Sequence, residues 1–149
     1  MPLQVPADRT TEQLARDLDA SRRRLYKLVR AADQKALNKR PPSGAWSALE
    51  NVRHLLFAEQ LHFSVVLKST VEWSPLGMTG MRSQRFAAVG TAKAPKLEEV
   101  LSAWDAFRAA NRKALKGRDD DALRKTLYGN TRHIRIHADV IERLLRQRG

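Results

Sequence analysis

An all-α fold, a four-helix bundle whose second and third helices run parallel, is what this sequence predicts. Four long stretches repeat apolar residues at helical spacing, and no stretch alternates as a strand would. The connection between the second and third stretches is about 25 residues long. A hairpin between antiparallel helices needs only a few residues, so a link of that length predicts a crossover along the bundle at about residues 70–95.

The first helix opens after Thr10, an N-cap with Gln13 placed to complete a capping box. Leu14, Leu18, Ser21, Leu25, Leu28 and Ala32 recur at alternating steps of four and three and carry it to about Asn38. The paired prolines of "KRPPSGA" then stop it, because neither can donate a helical hydrogen bond. The second helix begins at Ser47, whose S-x-x-E relation to Glu50 forms another capping box. Leu49, Val52, Leu56, Phe63 and Val66 line one stripe to about Ser69, and Phe57, Leu61 and Val65 cover a second side. Glu59 falls within the first stripe and must find a partner or border a pocket. The third helix runs from about Lys96 to Lys116, with Leu97, Leu101, Trp104, Phe107 and Leu115 inward and Asn111 on the same side. Gly117 stops it, and the acidic run after it suits the next N-terminus. The last helix spans about Asp120 to Gln147. A two-part version, broken at "YGNT", stays open.

The 149 residues suffice for one domain with its own core, and too few remain for a second. No apolar run approaches a membrane span or a secretory leader, which predicts a cytoplasmic protein. With no cysteine, any metal must sit on His, Asp or Glu. The net charge of +12 narrows partners to anionic ones without choosing among them. Ile134, Ile136, Ile141 and Leu145 widen the last helix's apolar surface enough to suggest a homodimer.

Four histidines are present, and "RHIRIH" sets His133 and His137 four apart. That spacing stacks both rings on the inward stripe of the helix, about 40° apart, together with Val140 and Leu144. Two such rings can share one ion or be satisfied packing residues, and the pair alone does not decide. His54, near the start of the second helix, reaches their level if the second and fourth helices are antiparallel neighbours. Three neutral imidazoles suit a divalent transition ion and leave positions open for water and substrate. His62 is more than two turns further on and about 80° round the helix, and is left out.

A Pro-rich lead, then "WSALENVRHLLFAEQ", a long connection and a terminal "RHIRIHADVIERLL" together resemble the DinB-like superfamily, including the YfiT-type metal-dependent hydrolases. The resemblance covers nearly the whole chain. It implies a four-helix bundle of up-down-down-up order over residues 1–149, with a metal triad of one histidine from the second helix and two residues spaced four apart on the last. Those positions here are His54, His133 and His137. It also implies a hydrolase or a thiol S-transferase acting on a small molecule with a low-molecular-weight bacterial thiol, and a zinc or nickel ion. One departure is Val140, where the family often carries glutamine.

Arg53 and Arg132 flank the histidines in sequence and are candidates to receive a substrate's polar groups, with Glu59 and Asn111 as candidate pocket residues. Because ligand imidazoles must be neutral, metal binding is expected to fade below about pH 6. A degenerate, non-catalytic family member is a further reading. The rival from another class is a basic bundle that holds nucleic acid through its first and last helices, although no aromatic residues interleave the cations. That rival requires affinity to fall by orders of magnitude between ~50 and ~200 mM salt. In a filter-binding assay, reversal of charge at Arg23 and Lys27 should abolish any such binding and leave metal content intact.

Overall fold

A computed structural model of the chain describes residues 3–69 and 95–147. Those residues hold five helices and no strand: α1 (Thr11–Arg30), α2 (Gln34–Asn38), α3 (Ala48–Leu67), α4 (Leu97–Leu115) and α5 (Asp121–Arg146). The crossover expected at about residues 70–95 falls almost wholly outside them.

Helix starts follow local chemistry. The Thr10 and Ser47 capping boxes both form, and Asp120 caps α5 by accepting from the Leu123 amide at 2.9 Å. Gly117 takes a φ of 81° just past α4, a conformation that glycine adopts without strain.

Two boundaries differ from expectation. The first helix does not reach Asn38. It ends at Arg30, and Asp33 starts the separate, short α2 by accepting from the Ala36 amide at 2.7 Å. An N-cap residue holds extended dihedrals, which a continuous helix cannot contain. At the other end, α5 runs unbroken through Gly129, so the two-part version is not what forms. Val65, expected on a covered side, is exposed in the last turn of α3.

The core is built from Leu14, Leu18, Leu25 and Val29 of α1, most of α3, Val100, Leu101 and Trp104 of α4, and Leu123, Ile134 and Ile141 of α5. Of the apolar residues thought to widen α5, Ile134 and Ile141 are core, Leu145 packs against it, and Ile136 is exposed. Helix α3 is buried nearly all round, as its two apolar sides require.

Cross-helix pairs give the register. Glu59 meets Trp104 and Phe63 meets Phe107, so numbers rise together along α3 and α4. Along α3 and α5 they run oppositely, Asn51 with His137 and His62 with Asn130. Arg30 pairs with Glu98, and Asp19 with Arg108, an opposite run between α1 and α4. Among the described residues no helix is long and apolar enough to cross a membrane.

Glu59 is fully buried and satisfied at both oxygens. Arg22, 6% exposed, donates through Nε at 3.2 Å and Nη2 at 2.7 Å, and the Trp104 indole donates at 2.6 Å. Arg22→Met would leave the carboxylate with the indole alone, so it should cost roughly 3–5 kcal/mol of stability in urea unfolding. The double variant Arg22→Met/Glu59→Met should recover part of that loss. A cost below about 1 kcal/mol for the single variant would mean that water reaches the pair.

Candidate metal centre

His54 lies two turns into α3, and His133 and His137 lie mid-way along α5. The fully buried stripe of α5 is Leu123, Leu127, Ile134, Ala138 and Ile141. It is centred about 100° round the helix from His133. The two histidines therefore sit on the flank of the core, not on its central seam as the pattern suggested, because α5 packs against α1 as well as α3. That offset leaves the rings half-buried and within reach of solvent.

The three rings converge. One nitrogen from each lies within 4.8 Å of the other two. Ring centroids are 5.0 Å apart for His54–His133, 5.0 Å for His54–His137 and 4.6 Å for His133–His137. The Nε2 atoms of His54 and His133 stand 3.2 Å apart. Two nitrogens bound tetrahedrally to one zinc ion would be ~3.3 Å apart. Lone pairs brought that close need a proton or a cation between them. Among the described residues His54 Nδ1 is buried with no hydrogen-bond partner, a further unsatisfied group in the same ring. The donor set fits a divalent transition ion.

Burial pushes the pKa of His54 down to about 4, with the neighbouring His137 and His62 adding to the shift. Burial likewise pushes His133 down to about 3, helped by His137, His54 and His62. Burial also lowers His137. Neutral imidazole is the ligating form, so the fold holds the rings ready for metal at neutral pH.

Four neighbours of the triad stand outside the set of candidates that the sequence offered. The Asn51 amide donates to the Ser47 carbonyl at 2.8 Å, which turns its oxygen toward His137 Nδ1 at 2.7 Å. That oxygen can only accept, so the proton sits on Nδ1 and the Nε2 lone pair is left for a ligand. Trp46 packs on the His54 ring, centroid to centroid at 4.9 Å. His62 lines the same 470 Å³ cavity as His54 and His133, with Nδ1 3.4 Å from the side-chain Oδ1 of Asn130. Leu3 closes another wall of that cavity. It approaches α5 at Gly129, where an added Cβ would meet Leu3 Cδ2 at 3.2 Å. The glycine signals this close approach, yet nothing local says which residue comes near.

The remaining sequence candidates are Glu59, Asn111, Arg53 and Arg132. Glu59 is in the ion pair with Arg22, and Asn111 borders a different cavity. Arg53 is buried on α3, where desolvation lowers its pKa against the pull of Glu50. Arg132 is exposed, its guanidinium 5.9 Å from the centroid of the Tyr128 ring.

The model of the DinB superfamily matches residues 17–145. No curated protein and no solved structure matches the chain.

The depressed histidine pKa values set how the metal-free protein responds to acid. Unfolded rings titrate near 6.5 and folded ones near 4 and 3, so below about pH 6.5 the unfolded chain binds protons that the folded rings refuse. Their contribution to stability is complete above that pH and is lost progressively as pH falls toward the folded values. Urea midpoints measured from pH 7.5 to 4.5 should decline, and less steeply in His54→Leu/His133→Leu. An unchanged slope in that variant would assign the protons to other groups.

Proposed function

Since this chain belongs to the DinB superfamily, we propose that it is a metal-dependent enzyme whose ion is held by His54, His133 and His137. The observation that carries the reading is the convergence of three neutral imidazoles beside an open cavity. A divalent ion held there, zinc or nickel, would supply Lewis acidity toward water or a low-molecular-weight thiol, for hydrolysis or S-transfer. The chain's own groups do the rest. Asn51 fixes the tautomer and angle of His137. Phe57, Leu61 and Leu3 give the cavity apolar walls that exclude water from a small-molecule substrate. His62 adds a third imidazole to the lining of the same cavity.

The up-down-down-up order of α1, α3, α4 and α5 belongs to the same reading, with one domain spanning the chain. The parallel pairing of Glu59–Trp104 and Phe63–Phe107, and the opposite run of α3 against α5, support it. That order brings His54 to the level of the α5 pair.

Metal stabilises only the state that binds it, by an amount that grows with concentration over the dissociation constant. Added Zn²⁺ or Ni²⁺ should therefore raise the melting temperature of the wild type and leave His137→Ala unmoved. Elemental analysis of untagged protein should find one ion per chain. Asn51→Ala should keep the fold and weaken metal binding by about 10–100-fold. The low histidine pKa values mean that protons compete weakly, so binding should persist below the pH of about 6 expected of free imidazoles. Identical metal responses in wild type and His137→Ala would reduce the triad to packing.

A further inference from the structure

A second cavity, of 360 Å³, opens away from the histidines where α1, α3, α4 and the start of α5 meet. Leu18, Phe63, Phe107, Leu115 and Leu127 give it an apolar lining. Its polar side is one-sided in charge. Among the described residues Asp19 is the single carboxylate on the wall, and Arg22 and Arg108 already hold it at 2.7 and 2.6 Å. Arg112 and Lys116 stand exposed at the same wall, with no ion-pair partner among the described residues.

Asn111 borders this cavity too, and its Nδ2 is buried with no hydrogen-bond partner among the described residues. A buried amide nitrogen carries two N–H donors, and leaving both unmade is costly unless something accepts from them. An apolar pocket of this size, two spare cations and an orphaned donor are the parts of a small-ligand site.

We propose that this cavity binds a small amphipathic carboxylate, with its apolar body against Phe63 and Phe107 and its carboxylate held by Arg112, Lys116 and the Asn111 amide. The apolar floor favours a ligand with a hydrocarbon or aromatic body, which a multiply charged phosphate ester lacks, and a carboxylate head can accept from both cations and the amide. None of these side chains belongs to the histidine cluster, so the site stands apart from the proposed enzymatic reading.

Octanoate serves as the probe and octan-1-ol as its uncharged counterpart. Each is titrated into the full chain by calorimetry, and the Asn111 side-chain amide is followed by NMR. Octanoate should bind saturably and shift that amide resonance, and octan-1-ol should bind at least tenfold more weakly. Arg112→Ser/Lys116→Ser changes only exposed residues, so it should keep the urea midpoint and lose at least tenfold in octanoate affinity. Asn111→Leu should lose octanoate binding similarly, and His137→Ala should bind octanoate as the wild type does. No saturable binding, equal binding of acid and alcohol, or a double variant that binds like wild type would each overturn the proposal.

Discussion

Glu59 cannot remain fully buried unless Arg22 and Trp104 come to it, and they come from two different helices. A carboxylate removed from water without partners would cost several kcal/mol. Here both oxygens are met, and Asp19 and Arg108 extend the network from the far side of Arg22. Sliding α3 by one turn would strand the carboxylate against leucines. The requirement to satisfy one side chain thus fixes the register of α1, α3 and α4 together. His54 lies less than two turns before Glu59 on the same rigid helix, so that register also sets where its ring meets α5.

A second chain of constraint runs through the start of α3. The Ser47 hydroxyl caps the helix, its carbonyl orients the Asn51 amide, and Asn51 orients His137. A local device for ending a helix has been extended into one that chooses a tautomer on another helix. Stability alone does not explain the result. Three neutral rings with converging lone pairs and an unpartnered His54 Nδ1 are a poor use of half-buried space, which apolar side chains would fill more favourably. Such local conflict is the expected mark of a site kept for binding, with its cost carried by the leucine seams around it.

Legibility in the sequence followed the range of the interactions. Helices written by short-range periodicity were readable, as were the capping boxes at Thr10 and Ser47, because cap and partner lie three residues apart. The three histidines were readable as a set because two share a helical face and the third matches a family position. What escaped depends on packing between helices. Asn51, Trp46 and Leu3 reach the site only through the angle at which α3, α5 and the leading segment meet. The division of the first helix at Arg30 escaped for another reason. Asp33 competes for its own backbone there, and the heptad pattern continuing to Ala32 concealed it.

The near-complete burial of α3 follows from what lies on its two sides. Ala58, Leu61 and His62 border the histidine cavity, and Phe63 borders the one beside Asn111. A helix that separates two cavities while carrying the bundle's buried ion pair has no face left to give to solvent over most of its length. Glu50, Asn51 and Glu59 are satisfied there by protein groups, whereas His54 Nδ1, Gln60 Oε1 and Ser64 Oγ have no partner among the described residues. Polar side chains on a two-sided apolar helix look like errors of patterning until each partner is known. With Arg40 on Glu50, His137 on Asn51 and Arg22 on Glu59, they become the points at which the helix is pinned. The opposite walls of α3 are therefore held by different partners, and a ligand on one side does not require the other to move.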